Sequence, residues 1–294
     1  MRTGPLDRMQ LADAARVLAD ACPFDRAAEV ADEKLFGAGP GGLPVTFGAW
    51  HADALIGVAA VARRWLRVLA VVPSARGQGA GTALLAACEA AARAAGEPML
   101  RTLDEPGNYL APGIDERNTL AIGWLERRAW RRRGEPRLNV LIDVHHNPRV
   151  SAARASELAR VAATKGYEIR RARPDEHALL DAVTSEFGGA WPFELARALG
   201  HVPAGVHVAL KDGTYCAFAA HDGNNRGLGW FGPTGTWPAH RGQGLGEALL
   251  LACLVDVGTA HACCEVAWIG PRPFYDKVAG IIEDRRFALL ARDL

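Results

Sequence analysis

The chain has 294 residues, enough for two domains of roughly 130–150 residues each. Apolar residues make up 49% and charged residues 23%, the balance of a soluble globular protein with well-filled cores. A formal net charge of +1 gives no bulk attraction to nucleic acid or to an anionic membrane. No apolar run approaches the ~18 residues of a membrane span, and the opening "MRTGPLDRMQ" lacks the apolar centre of a secretion signal.

In chain order, "DRMQLADAARVLADAC" and "DRAAEVADEKLFG" read as helices, with little room before them for an opening strand. "LPVTFGAWHA", "ALIGVAAVARR" and "LRVLAVVP" are β-rich runs broken by turn residues. A glycine-rich loop, a helix "TALLAACEAAARAAG" and a short strand "PMLRTL" follow. A helix "RNTLAIGWLERRAW" and a strand "RLNVLIDVHH" close the first half.

"NPRVSAARASELARVAATKG" is polar and alanine-rich and reads as a partly helical linker, which places the domain boundary near Ser151. The second half repeats the order. Strand "YEIRRA" and helix "PDEHALLDAVTSEFG" lead to a short helix "FELARALG" and strands "GVHVALKDG", "YCAFAAHDG" and "LGWFGPTGTW". A second glycine loop, the helix "EALLLACLVDVGTAH", strand "CCEVAWIG", helix "PFYDKVAG" and a final strand near "RRFALLARDL" complete it.

The loops carry the chemistry. Pro73–Cys88 and Pro238–Cys253 agree at eleven of sixteen positions, at a constant offset of 165 residues. That period is too long for a solenoid and signals duplicated domains, 1–150 and 151–294. Both copies keep Pro-x-x-Arg-Gly-Gln-Gly-x-Gly between a strand and a helix. Glycine at Gly77, Gly79 and Gly81, and at Gly242, Gly244 and Gly246, lets the backbone turn its N–H groups to one side. With the following helix N-terminus these amides form a cradle suited to phosphate. A dinucleotide fingerprint would need a third glycine where Thr82 and Glu247 stand, and the Gly-Lys-Ser/Thr of a P-loop is absent.

The six cysteines show neither C-x-x-C spacing nor a His cluster, so neither zinc nor a disulfide framework is expected, and no metal site is assigned. Cys88 and Cys253 take matching places in the two apolar helices and read as buried free thiols of a reduced, cytoplasmic protein.

At these loops the chain resembles the GNAT acyltransferase family, whose signature is Gln/Arg-x-x-Gly-x-Gly/Ala. Arg76, Gly79 and Gly81 match it in one half and Arg241, Gly244 and Gly246 in the other, and the element order matches across nearly the whole chain. The resemblance implies an α/β fold of two tandem GNAT domains, each a mixed, centrally splayed sheet flanked by helices. It also implies acetyl-CoA or another acyl-CoA as co-substrate, with its pyrophosphate on Arg76, Gly77, Gln78, Gly79, Ala80, Gly81 and Thr82. The second set is Arg241, Gly242, Gln243, Gly244, Leu245, Gly246 and Glu247. The pantetheine arm would lie along the preceding strand, with the backbone N–H of Val71 or Thr236 on the thioester oxygen.

The family commonly places a tyrosine acid on the last helix and an asparagine about seven residues earlier near the cofactor. The first half has Asn118 in the asparagine position but Leu125 in place of the acid; the second has Tyr275 but Trp268 in place of the asparagine. The second half is therefore expected to be catalytic, with Tyr275 as acid. Candidates for the base are Glu265 and Glu186, an ordinary surface or hydrogen-bonded role and a water chain being the competing readings.

The loop "EPGNYLAPGIDERN" supplies Tyr109 as a substitute acid for the first half. With Asp104, Glu105, Asp115 and Glu116 it either lines a pocket or is simply solvated. His221 could titrate near neutrality, and His240 is expected to face phosphate or solvent. The basic run "RRAWRRRGEPR" suits a helix C-terminus better than nucleic acid. Trp191, Trp230, Trp237 and Trp268 are expected in core or rim packing.

The resemblance implies acetyl transfer by direct attack in a ternary complex, and the acceptor is expected to be a primary amine of a small molecule, in a monomer or homodimer. Nucleic-acid and membrane partners are not expected. A non-catalytic acyl-CoA-binding protein is the alternative, and an aminoacyl-tRNA-using transferase lacks the extended basic surface it would need.

Overall fold

The computed structural model describes all residues 1–294. In chain order the elements are β1 (Arg2–Pro5), α1 (Leu11–Ala21), α2 (Ala31–Phe36), β2 (Val45–His51), β3 (Ala54–Ala62), β4 (Trp65–Val71), α3 (Ala80–Ala94), β5 (Met99–Thr102), β6 (Ile114–Asp115), α4 (Thr119–Glu126) and β7 (Arg131–Arg132). There follow β8 (Arg137–Asp143), α5 (Ala152–Ala163), β9 (Glu168–Arg171), α6 (His177–Glu186), α7 (Trp191–Leu199), β10 (Val206–Lys211), β11 (Thr214–His221) and β12 (Trp230–Thr236). The chain ends with α8 (Leu245–Val257), β13 (Cys263–Val266), α9 (Arg272–Ala279), β14 (Glu283–Ala288) and β15 (Leu290–Asp293). No helix is long and apolar enough to cross a membrane.

Two compact units result. The first comprises Met1–Arg137 with Arg286–Leu294, the second Leu138–Arg285. The division differs from the boundary expected near Ser151 in which strands go where. β8, expected to close the first half, pairs with β13 in the second unit, Cys264 opposite Ile142. β15, from the chain's last residues, pairs with β5 in the first, Arg292 opposite Leu100. Nor is 151–163 a linker: Ser151 caps α5, and Ala162 is buried in the second unit's core with Leu158 against it.

In the first unit the sheet order is β1-β2-β3-β4-β5-β15-β7. All neighbours for which pairing is defined run antiparallel except β4 and β5. Side chains alternate across the sheet: Ala59 and Val61 join the core built by Leu84, Leu85 and Cys88 of α3 and Ile122 and Leu125 of α4. Val58 and Ala60, also fully buried, face the other way, toward α1. The opening strand is present but only four residues long.

The second unit repeats the plan, with β9-β10-β11-β12-β13-β8 in order and β14 beyond β8. Ala217 and Ala219 of β11 pack with α5, α8 and α9. Phe218 and Ala220 pack with α6 and α7 on the opposite face. All six cysteines are free, and Cys88 and Cys253 are both fully buried; burial pushes the Cys88 thiol up to about 12.

Candidate active site

In each unit the sheet splits at one place. β4 and β5 are parallel for two pairs only, Trp65 with Arg101 and Leu66 with Thr102. β12 and β13 likewise pair only at Trp230 with Glu265 and Phe231 with Val266. Beyond Leu66 and Phe231 the strands diverge, and a bulge follows at once: the register shifts opposite Ala60/Val61 in one unit and Ala219/His221 in the other. Pro233 falls at the second bulge, where its missing N–H costs no ladder bond.

The splay leaves one edge of β4 and of β12 open. The N–H of Val72 bonds to Ile56 O at 3.0 Å, and that of Trp237 to Cys216 O at 3.0 Å. Because antiparallel residues alternate between facing and turning away from their partner, Val71 and Leu69, and Thr236 and Thr234, direct their N–H and C=O to the open edge. Arg76 Nε donates to Val71 O at 3.1 Å and Arg241 Nε to Thr236 O at 3.2 Å. The two signature arginines thus brace the strand ends, although both remain exposed. Leu69 and Thr234 were missed in the sequence; the alternation along the strand was the available signal.

The glycines behave as their spacing predicts at two of three positions. Gly77 and Gly79 have φ of 79° and 92°, Gly242 and Gly244 of 75° and 86°. Gly81 and Gly246 are helical, and their bareness serves packing: a Cβ at Gly81 would meet Trp124 at 3.4 Å, one at Gly246 would meet Phe274 at 3.6 Å. Neither α3 nor α8 has a side-chain N-cap, since Gly79 and Gly244 occupy that place. The first amides of both helices are therefore left for another acceptor, and a Cβ at Gly77, Gly242 or Gly244 would meet nothing within 4 Å. Uncapped amides beneath open space fit a diphosphate.

The residues after the third glycine set the two cradles apart. Thr82 Oγ1 accepts from Arg128 Nη2 at 3.1 Å, and Arg128 lies over the Trp124 ring at 4.0 Å. At the matching place Glu247 puts a carboxylate in the first turn of α8, paired with Arg154 Nη2 at 2.7 Å. Gln78 bonds within its own loop, to Ser74 O at 3.2 Å, and Gln243 O accepts from Lys165 Nζ at 3.0 Å.

Trp124 and Phe274 are counterparts, each covering a loop glycine, so the residues that follow, Leu125 and Tyr275, are counterparts too. Tyr275 is buried, with its ring 6.5 Å from Phe231, the last residue of β12 paired to β13. It therefore stands at the fork. Burial raises its phenol to about 12, so it stays protonated at neutral pH. Asn118 instead caps α4, its Oδ1 accepting from Ala121 N at 3.3 Å.

The candidate bases fare differently. Both oxygens of Glu265 are engaged by Arg285 Nη1, at 3.0 and 2.9 Å, and Oε1 also accepts from Asn139 at 2.7 Å. It reads as the structural carboxylate weighed against it in the sequence. Glu186, the exposed last residue of α6, lines a cavity of about 440 Å³ with Ala182, Tyr215, Trp237 and His240. α6 and α9 pack on opposite faces of the sheet, so Glu186 and Tyr275 flank β12 from opposite sides. His240 faces Tyr167, whose hydroxyl is 3.1 Å from Nδ1.

The acidic loop of the first half is not solvated. Asp104, Glu105, Asn108 and Tyr109 are all buried. Glu105 forms an ion pair with Arg67, itself fully buried on β4, and Arg67 Nη1 donates to Gly37 O at 2.6 Å. Asp104 pairs with Arg101 and Asp115 with Arg117. Of the tryptophans, Trp230 is core, and Trp191 and Trp237 cluster with Phe187 and Phe218 at 5.0–6.1 Å.

A GNAT acetyltransferase domain model matches residues 44–114, the segment holding the first unit's splayed strands and glycine loop. Solved structures match the chain over nearly its full length. One is a tandem GNAT protein from the clavulanic acid biosynthesis pathway: TM-score 0.68, 18% identity, covering 99% of this chain and 98% of that one. The chain is a tandem GNAT-fold protein. Another, a GCN5-related N-acetyltransferase from Sphaerobacter thermophilus, gives TM-score 0.68 and 18% identity, with 99% and 95% covered. A glucosamine N-acetyltransferase region within a fungal multi-domain GH3 β-N-acetylglucosaminidase gives TM-score 0.77 at 17% identity. There the tandem GNAT chain is covered to 99% but spans only 38% of the fungal protein. No curated protein matches the sequence. The fold is that of acyl-CoA-dependent acyltransferases, and no group of three or more His, Cys, Asp or Glu is placed to hold a metal ion.

Proposed function

We propose that the chain is an acetyl-CoA-dependent N-acetyltransferase for a primary amine of a small molecule, with its active centre in the second unit. One observation carries the reading. At the β12–β13 fork an open strand edge, a protonated phenol at Tyr275 and unfilled space beside Gly232 coincide. The likeness to a glucosamine N-acetyltransferase region supports a small-molecule acceptor.

The loop 241–247 would hold the diphosphate, and bound acyl-CoA would supply an activated thioester. The open edge serves two tasks, because a pantetheine arm carries amides as well as the thioester. Thr236, nearer the loop, suits an amide of the arm. Thr234, two residues closer to Phe231, offers its N–H for the developing oxyanion, worth about 3 kcal/mol for one such donor. That shifts the oxyanion role from Thr236 toward Thr234.

The Tyr275 hydroxyl would donate to the leaving sulfur. With the phenol near 12, full proton transfer to an ordinary thiolate is uphill by about three powers of ten, so the group acts as a hydrogen-bond donor while sulfur departs. The amine must first shed its own proton, an ordinary alkylammonium holding it to about 10.4. With Glu265 tied to Arg285, that step falls to Glu186 or to water.

Turnover of an amine panel, followed by thiol release, tests the reading. Acetylation of at least one amine supports it. Binding of acetyl-CoA without acetylation of any amine would favour the second reading, a non-catalytic acyl-CoA-binding protein, for which the engaged state of Glu265 is the supporting observation.

A further inference from the structure

The two forks differ in what fills them. In the first unit the residue after the last parallel pair is Arg67; in the second it is Gly232, at the same offset of 165 as the loops. Gly232 has φ of 135°, and a Cβ there would meet nothing within 4 Å. Arg67 is fully buried, paired with Glu105, and also bonded to Gly37 O and, at 3.3 Å, to Gly42 O. No spare volume surrounds it: a Cβ on Gly39 would collide with Glu105 Oε1 and come within 2.7 Å of Arg67 Nη2.

The connection that delivers Glu105 is an insertion. Residues 103–118 join β5 to α4, whereas only 267–271 join β13 to α9. The insertion is fastened from behind by Asn108, which accepts from Lys34 Nζ at 3.0 Å and whose Nδ2 reaches Gly37 O and Ala38 O at 3.4 and 3.3 Å. Lys34 in turn holds Glu33 at 2.7 Å. This is a rigid stopper in the place where the second unit is open.

The rest of the first unit's ligand groove is intact. The uncapped α3 carries no acidic residue in its first turn, Thr82 and Arg128 stand beside it, and Val71 and Leu69 face the open edge. An extended pantetheine arm reaches about four to five strand residues back from the loop at about 3.3 Å each. Its sulfur then lies at the level of Arg67, and the atoms beyond sulfur have nowhere to go.

The geometry points to the first unit as a binding site for unacylated CoA, the thiol form, in preference to any acyl-CoA. The inference rests on the reading that the glycine loops take CoA. It gives the first unit a ligand that the second unit's transfer would release, and Leu125 in place of an acid is consistent with binding alone.

Calorimetry on the full chain tests it, with CoA and acetyl-CoA as the two probes. Two CoA sites per chain are expected, one of which takes acetyl-CoA at least tenfold more weakly. Gly79→Val, strained at its φ of 92°, should abolish that discriminating site, and Gly244→Val the other. Removing both charges together, Arg67→Gly with Glu105→Ala, should bring acetyl-CoA at the first loop to within about threefold of CoA. Equal affinity of both probes at both loops in the unaltered chain overturns the inference while leaving the acyl-CoA reading standing. So does a single CoA site that Gly79→Val leaves intact. Binding of neither probe overturns both. The comparison of probes on the unaltered chain decides the matter even if the double variant does not fold.

Discussion

Arg67 and Gly232 occupy the same place in the two units, yet one is a fully buried guanidinium and the other the only residue type that leaves its fork empty. The first consequence concerns stability. Glu105 is the carboxylate facing Arg67, and removing it leaves a buried charge with backbone carbonyls alone for company. Glu105→Ala should cost the first unit about 3–5 kcal/mol, whereas the pair replaced together, Arg67→Met with Glu105→Ala, should cost distinctly less. Urea unfolding of the three proteins measures this. Equal losses for the single and the double change would mean that the pair does not act as a unit.

Tyr275→Phe isolates the hydroxyl. The ring contacts to Phe231 and Phe274 survive the change, so folding and acetyl-CoA affinity should stay within about twofold. kcat should fall on the order of 10²-fold, the usual scale for losing one positioned proton donor. An unchanged kcat would take Tyr275 out of the chemistry. Leu125→Tyr in the first unit should confer nothing, since Arg67 fills that unit's fork.

What was legible in the sequence was local. The glycine loops announced themselves because positive φ demands glycine and because the pattern occurs twice; Leu125 was reached by counting seven residues on from Asn118, and Tyr275 from its place in the last helix. Sheet membership was not legible: "RLNVLID" makes the same alternating strand whichever sheet accepts it, and in a duplicated fold both sheets have a vacancy of the right shape. The stopper was hidden for a related reason. Arg67 and Glu105 are 38 residues apart, and only contact in space shows that an acidic loop is buried. One signal was nonetheless available. A lone arginine inside the apolar run "WLRVLAV", opposite a glycine at the 165-residue offset, marks a charge that must find a partner indoors. Asn118 and Glu265 had residue types that suited chemistry, but each is already engaged, one as a helix cap and one by Arg285.

Glu247 provides a test of the second cradle. A carboxylate in the first turn of α8 favours the helix dipole but opposes a phosphate sharing the same amides. Glu247→Gln removes that repulsion and ends the ion pair with Arg154 Nη2, now at 2.7 Å, while Arg154 Nη1 stays on Arg149 O and Val278 O. CoA affinity at the second loop should rise about three- to tenfold at low salt, with a smaller gain at about 0.5 M salt as charges are screened. A fall in affinity would show that Glu247 orients Arg154 rather than competing with the ligand.

The last prediction follows protons away from the site. On the second unit's sheet His221 faces Asp222 at 3.0 Å and Asp256 at 3.5 Å, and Asp256 also holds His207 at 2.7 Å and Arg171 at 2.6 Å; His201 sits on Asp222 O at 3.0 Å, and the buried thiols of Cys253 and Cys264 feel the Asp222 charge. Burial alone would lower the His221 imidazole, but the two carboxylates outweigh it and raise it from 6.5 to about 9. A base held above its unfolded value stabilises the fold fully below pH 6.5 and loses that contribution as pH climbs through 9. The second unit should therefore weaken by roughly 2–3 kcal/mol between about pH 6.5 and 9.5, since each tenfold gain in proton affinity is worth about 1.4 kcal/mol. Asp222→Asn keeps an acceptor for the N–H groups of Gly227 and Trp230 while removing one of the two charges, so it should flatten that slope by about half. Urea unfolding at the two pH values, with both proteins, reads the difference directly. A slope identical in the variant would assign the titration to a group other than His221.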